Sequence, residues 1–176
     1  MDNQALVAAL QGPLCRTPGH IVAAVRPPLY IDVDERTIAR DVGATFISLK
    51  QVIFDGANAE GMRAPILFSE PVTDPVVLQR CAHWVDHRLE RLPGGDEIVA
   101  LGGVTLFHNL VTDVAAERRL DLMALLRPHK DRLRLLVMVP GVLINDRLLF
   151  MDTFAPFSSE GVIWVGGDLG RTGKRI

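Results

Sequence analysis

Short runs of almost uninterrupted apolar residues constrain the fold of this chain most. The longest is LRLLVMV (133–139), and HIVAAV (20–25) and EIVAL (97–101) have the same character. Such runs are typical of strands buried on both faces, and stretches of helical period lie between them. Their alternation predicts an α/β fold with three layers: a mainly parallel sheet with helices on both faces, in a P-loop-like or Rossmann-like topology.

Apolar stripes and end signals locate the helices. Residues 3–10 predict a short first helix that stops at Gly12-Pro13. Residues 35–42 predict a second helix, with Gly43 where a C-terminal cap needs a residue that tolerates positive φ. The best amphipathic pattern begins at Asp74-Pro75 and runs to about Arg91.

Further strands and one loop complete the predicted architecture. ATFISL (44–49) and GVIWV (161–165) are the remaining strand candidates. Residues 55–64 are polar and contain glycine, which predicts a surface loop. No linker or repeat is evident, so residues 1–176 are expected to form a single domain with a basic, flexible tail from about residue 167.

Composition and charge exclude several classes of protein. Apolar residues make up 48% and charged residues 23% of the chain, which is ordinary for a globular protein. The formal net charge of −2 gives no global attraction to nucleic acid or to an anionic membrane. Cys15 and Cys81 form no CxxC pair, and neither a signal peptide nor a membrane span is evident, so a cytoplasmic location is expected.

The loop after the first buried strand is where a nucleotide-binding domain would carry a phosphate loop. Phosphates need close backbone approach and free N–H donors, usually supplied by glycine. Arg26-Pro27-Pro28 stands there instead, and its two prolines remove two donors. The sequence therefore predicts a degenerate site that does not hold phosphate in the usual way, and no bound cofactor is expected.

The end of EIVAL leads to the same conclusion. An ATPase would place an acidic residue here to hold magnesium and orient water. Gly102-Gly103 occupies the position, and Asp96 and Glu97 precede the strand at its opposite end. ATP hydrolysis by this domain is therefore not expected.

Asp32, Asp34 and Glu35 are the candidate catalytic carboxylates. In an extended stretch Asp32 and Asp34 project to one face, where they would hold Mg²⁺ for phosphoryl chemistry. The favoured interpretation is structural: Asp34 caps the following helix, Glu35 complements the helix dipole, and Asp32 is solvated.

His83 and His87 have the i,i+4 spacing of a helical zinc pair. Position 84 is Trp rather than the Glu of a hydrolytic HExxH motif. Both histidines fall on the side of the helix away from the apolar stripe, so a solvated helix face is the favoured interpretation and a metal pair the alternative. No role is assigned to His20, His108 or His129.

A basic cluster lies before the strongest strand. It is interleaved with acidic residues and lacks aromatic residues, so nucleic acid is not expected as a direct ligand. Its members are Arg118, Arg119, Arg127, Lys130, Arg132 and Arg134.

Residues 96–154 resemble the C-terminal half of accessory proteins of BREX phage-defence systems, of the B and F types. The matching positions are Gly103, Leu106, Phe107, Pro140, Gly141, Leu149 and Phe154. The F-type proteins look like AAA-type P-loop ATPases, so this resemblance implies a degenerate relative that does not hydrolyse nucleotide. The B-type resemblance implies an accessory component of a larger assembly.

The leading hypothesis is a non-enzymatic accessory or scaffold subunit that acts through protein partners or as a homo-oligomer. The alternative is a small Mg²⁺-dependent phosphotransfer or hydrolytic enzyme that uses Asp32 and Asp34.

Overall fold

A computed structural model describes residues 3–15, 19–26, 35–62, 75–103, 125–140 and 162–166. The helices are α1 (Asn3–Leu14), α2 (Glu35–Asp41), α3 (Leu49–Ala59) and α4 (Pro75–Glu90), with a 3₁₀ turn at Arg127–His129. The strands are β1 (Ile21–Arg26), β2 (Thr45–Ser48), β3 (Ile98–Gly102), β4 (Arg134–Pro140) and β5 (Val162–Val165). No helix in these ranges is both long and apolar enough to cross a bilayer.

The five strands form one sheet in the order β2-β3-β4-β1-β5, and all four neighbouring pairs are parallel. The predicted α/β class is confirmed. After β1 the chain moves to the far edge of the sheet, returns strand by strand to β4, and crosses over β1 to reach β5. The sheet is therefore doubly wound about its centre.

Two hydrophobic cores lie on opposite faces of the sheet. Alternate residues of β1 belong to different cores: Ile21 and Ala23 pack with α3 and α4, whereas Val22 and Ala24 pack with α1 and α2. This alternation follows from the two-residue period of a strand. Helices cover both faces, which confirms the predicted three layers.

Helix α2 ends where the sequence predicts. Gly43 has φ +73°, and the N–H of Ala44 donates to the carbonyl of Ala39 (2.8 Å). This left-handed residue closes the helix, because glycine adopts positive φ without steric cost.

The prediction of a loop over residues 55–64 is wrong for residues 55–59 and right for the turn at 60–62, the last residues of this range that the structure describes. Helix α3 continues to Ala59, and Leu49, Ile53 and Ala57 are buried at four-residue intervals. Gly56 favoured a loop in the sequence, but it lies where α3 crosses α4. A Cβ at that position would come within 2.4 Å of the Trp84 ring, so glycine is needed for the close contact between the two helices.

The predicted end of the first helix is also wrong. Helix α1 continues through Gly12 and Pro13 to Leu14. Leu6, Leu10 and Leu14 are all buried on one side, and the packing of Leu14 outweighs the hydrogen bond that Pro13 cannot make.

Several predicted segments lie outside the described residues. They are the extended stretches that LYIDV (29–33) and PILF (65–68) predict, the helix that the shared face of Phe107, Leu110, Val111 and Val114 predicts after Gly103, the hairpin that Asn145-Asp146 predicts over 142–150, and the basic tail.

Candidate functional site

The carboxyl edge of the sheet, where all strands end together, is the candidate site. The chain leaves β1 towards one side and leaves β4 towards the other, so the switch point of the sheet lies between these two strands. Arg26 is the last residue of β1 and pairs with Pro140. Pro27, Pro28, Asp32 and Asp34 follow in a segment outside the described residues.

The glycine pair after β3 lies at this same edge, separated from β1 only by β4. Gly102 pairs with Ser48 at the end of β2. Neighbouring strands are about 4.8 Å apart, and β1 ends two residues beyond the level of Gly102, so the ends of β1 and β3 are about 12 Å apart. Arg26 and Gly102, the two positions at which the sequence predicts a degenerate nucleotide site, thus lie on one edge of the sheet.

Glu35 reaches this edge from α2. Its Oε2 accepts a hydrogen bond from the backbone N–H of Gly103 at 3.0 Å, in a partly buried setting. The structure therefore joins two candidates that the sequence treated separately. Glu35 lies in the first turn of α2, as a dipole-complementing acid would, but it also binds the chain that leaves β3.

A side chain at position 102 would have to displace two neighbouring side chains. A Cβ there would lie 2.2 Å from Glu35 Oε2 and 2.6 Å from the ring of Phe46. The Arg36 guanidinium covers that ring, 5.5 Å from its centroid. The end of β3 is therefore occupied by side chains from α2 and β2.

The next residue, Gly103, also lies close to the end of β2 and the start of α3. Gly103 has φ +73°, and a Cβ there would lie 3.1 Å from the backbone nitrogen of Lys50 and 3.4 Å from Ser48 Oγ. Ser48 caps α3, because its hydroxyl accepts the N–H of Gln51 at 3.3 Å. The N–H of Gly103 is already bonded to a carboxylate, so it is not free for a phosphate.

The acids at the opposite edge of the sheet have structural partners. Asp96 accepts from Arg134 at 3.0 Å, and Glu97 accepts from the Thr45 hydroxyl. The prediction that these two carboxylates lie at the wrong end of β3 for catalysis is confirmed.

His83 and His87 are both exposed on α4, as predicted. Their rings are nearly parallel, at an interplanar angle of 17°, with centroids 6.0 Å apart. Among the described residues no group of three or more potential metal ligands occurs.

His129 was missed by the sequence analysis. It is almost fully buried, and its Nε2 lies 2.7 Å from Asp86 Oδ1. The pair ties the 3₁₀ turn before β4 to the middle of α4. Nothing in the sequence links residues 43 positions apart, so this contact could only be found in three dimensions.

The described part of the basic cluster serves the fold. Arg132 donates to the carbonyls of Leu89 and Leu92 at the end of α4. Arg134 pairs with Asp96, and Lys130 donates to Asp131 at 3.1 Å. Cations at a helix C-terminus satisfy its last carbonyls and oppose its dipole, so Arg132 stabilises the end of α4.

Comparisons with protein-family models, with curated proteins and with solved structures found no match. Function is therefore inferred from the chain's own residues.

Proposed function

We propose that this protein is a non-catalytic accessory or scaffold subunit of a larger intracellular assembly, with a degenerate nucleotide site. The observation that carries the proposal is the packing at Gly102. The acid-bearing strand end of an ATPase is occupied here by Glu35 and Phe46, whose side-chain ends would have to move to admit a side chain at position 102.

Hydrolysis of a nucleotide needs a carboxylate that holds Mg²⁺ and a group that orients the attacking water. An aspartate at position 102 would collide with Glu35 and repel its charge. Glu35 itself hydrogen-bonds Gly103 through Oε2, so it serves the packing of this edge.

Phosphate binding is disfavoured for a related reason. The N–H of Gly103 faces a carboxylate that an anionic ligand would have to displace. Two prolines after Arg26 remove further donors from the loop at the switch point. Both effects weaken binding of a nucleotide to an edge where the doubly wound sheet would otherwise favour it.

Two features support a role through partners. The mean hydropathy of +0.22 is high for a globular domain, which fits a surface that meets another protein. The resemblance of residues 96–154 to BREX accessory proteins favours an assembly in phage defence, located in the cytoplasm.

Calorimetric titration of the full chain with ATP and ADP, with and without Mg²⁺, tests the nucleotide half of the proposal. We expect no saturable binding and no release of phosphate. Saturable binding with phosphate release that Glu35→Gln or Asp32→Asn abolishes would overturn it, and would favour a Mg²⁺-dependent phosphotransfer or hydrolytic enzyme. Glu97→Gln is the matched control, because that carboxylate lies at the opposite edge of the sheet.

Native mass measurement tests the partner half. The chain is expressed alone and together with the products of its neighbouring genes, and we expect a stable complex of defined stoichiometry. A chain that stays monomeric under both conditions would contradict the scaffold role.

A further inference from the structure

One exposed side of α4 carries two imidazoles that no mechanism above uses. His83 and His87 are one turn apart, and their nearly parallel rings are 6.0 Å apart between centroids. Among the described residues neither ring has a hydrogen-bond partner, unlike the buried His129, which is bound to Asp86. Both imidazoles are thus available to a ligand from solvent.

The helix beneath the pair is firmly held. Cys81, Trp84, Val85 and Leu89 are buried on its other side, and the indole N–H of Trp84 donates to Glu60 at 2.9 Å. The Cβ atoms of the two histidines are therefore fixed relative to each other, and only side-chain rotation is needed to bring a nitrogen of each ring to one point.

We propose that His83 and His87 chelate one divalent transition-metal ion, of the class of Cu²⁺, Ni²⁺ and Zn²⁺, on the exposed face of α4. Neutral imidazole is a preferred ligand of these ions, and two histidines at i,i+4 on a helix share a metal. Water fills the remaining coordination positions. This inference is independent of the proposed function.

A carboxylate near the pair favours a cation. Asp86 is already bound to His129, but Glu60 is close enough to His83 for the two to interact electrostatically. The pKa of Glu60 is lowered, mainly by the hydrogen bond from Trp84 and also by Arg80 and His83. Glu60 therefore keeps its negative charge, although Arg80 neutralises part of it.

The site binds metal but is not built for hydrolysis. A hydrolytic helical zinc pair carries a glutamate base directly after the first histidine. Here that residue is Trp84, which is buried and already bonded to Glu60. No group at position 84 can take a proton from a metal-bound water.

The test uses the full chain without a histidine tag. Calorimetric titration with Cu²⁺, Ni²⁺ or Zn²⁺ is expected to give one ion per chain, and Mg²⁺ none. His83→Gln or His87→Gln should each weaken binding about 100-fold, because chelation makes the second ligand's binding intramolecular. His20→Gln is the matched control, since His20 is exposed and outside the pair, and it should leave the affinity unchanged.

A melting experiment gives the second measurement. An ion that binds the folded chain raises the melting temperature, and this rise should vanish in both pair variants and persist in His20→Gln. The proposal is overturned if none of the three ions binds, or if both pair variants bind the ion as strongly as the parent chain does.

Discussion

At position 56 only a hydrogen atom separates the backbone of α3 from the indole of Trp84. An alanine in the middle of a helix normally stabilises by about 0.5–1 kcal/mol relative to glycine. Gly56→Ala is expected to do the opposite and to destabilise by about 1–3 kcal/mol, because its Cβ would come within 2.4 Å of the ring. Urea unfolding of the variant and the parent chain measures the difference.

Gly12→Ala is the matched control for this prediction. Gly12 is also helical, but a Cβ there would meet nothing within 4 Å. We expect Gly12→Ala to stabilise by about 0.4–1 kcal/mol. If both alanines changed stability in the same direction, the contact of Gly56 with Trp84 would not be what requires glycine.

The buried thiol of Cys81 gives the chain a defined response to alkaline pH. Burial raises the pKa of Cys81 from 9.0 to about 11, so the unfolded chain loses this proton before the folded chain does. Stability from this group is complete below pH 9.0 and falls as the pH rises towards about 11. The total loss is about 2–3 kcal/mol, since one pKa unit corresponds to about 1.4 kcal/mol.

Comparison with Cys81→Ala isolates this effect. Urea unfolding of both chains across the alkaline range should show a gap in stability that narrows or reverses as the thiol of the parent chain titrates. A gap that stays constant from neutral pH to about pH 11 would contradict the raised pKa of Cys81.

At the scale of elements, the spacing of apolar residues predicted most of the residues that the fold buries. The apolar pattern of α4 predicted a stripe of Val77, Cys81, Trp84, Val85 and Leu92. The middle three are buried and the outer two are partly buried, while Leu78 and Leu89, which the pattern missed, are buried as well. The strands were equally predictable, because β3 and β4 are buried on both faces and read as continuous apolar runs.

The errors at this scale have one physical cause. Gly56 and Pro13 are of residue types that often interrupt helices, but packing keeps both helices intact. Gly56 packs against Trp84, and the residues of α1 on either side of Pro13 are buried as far as Leu14. The candidate site was also only partly predictable from the sequence. That Arg26 and Gly102 lie at strand ends follows from the predicted strands, whereas the bond from Gly103 to Glu35 spans 68 residues and leaves no trace in the sequence.

At the scale of the whole molecule, the sheet divides the interior into two cores that share no side chain. Ile38 belongs to the core under α1 and α2, and Ile53 to the core under α3 and α4. Ile38→Val and Ile53→Val should each destabilise by about 0.5–1.5 kcal/mol. Because a strand layer separates them, the double variant should equal the sum within about 0.5 kcal/mol.

A double-mutant cycle by urea unfolding measures the coupling. Ile53→Val combined with Val85→Ala is the reference for two substitutions within one core. A coupling above about 1 kcal/mol between Ile38 and Ile53 would mean that the two cores respond as one unit.

The central position of β1 also affects how the chain folds as it is synthesised. Among the described residues, strand β1 pairs with β4 and β5 alone, and Ile21 pairs with Leu135, which is more than a hundred residues further along the chain. The ribosome adds about 5–20 residues per second, so several seconds pass between the synthesis of β1 and that of β4. During this time both hydrogen-bonding edges of β1 are unpaired. Such a nascent chain exposes apolar strand edges during translation, so its yield in the cell depends on protection by chaperones and on the pace of synthesis between β1 and β4.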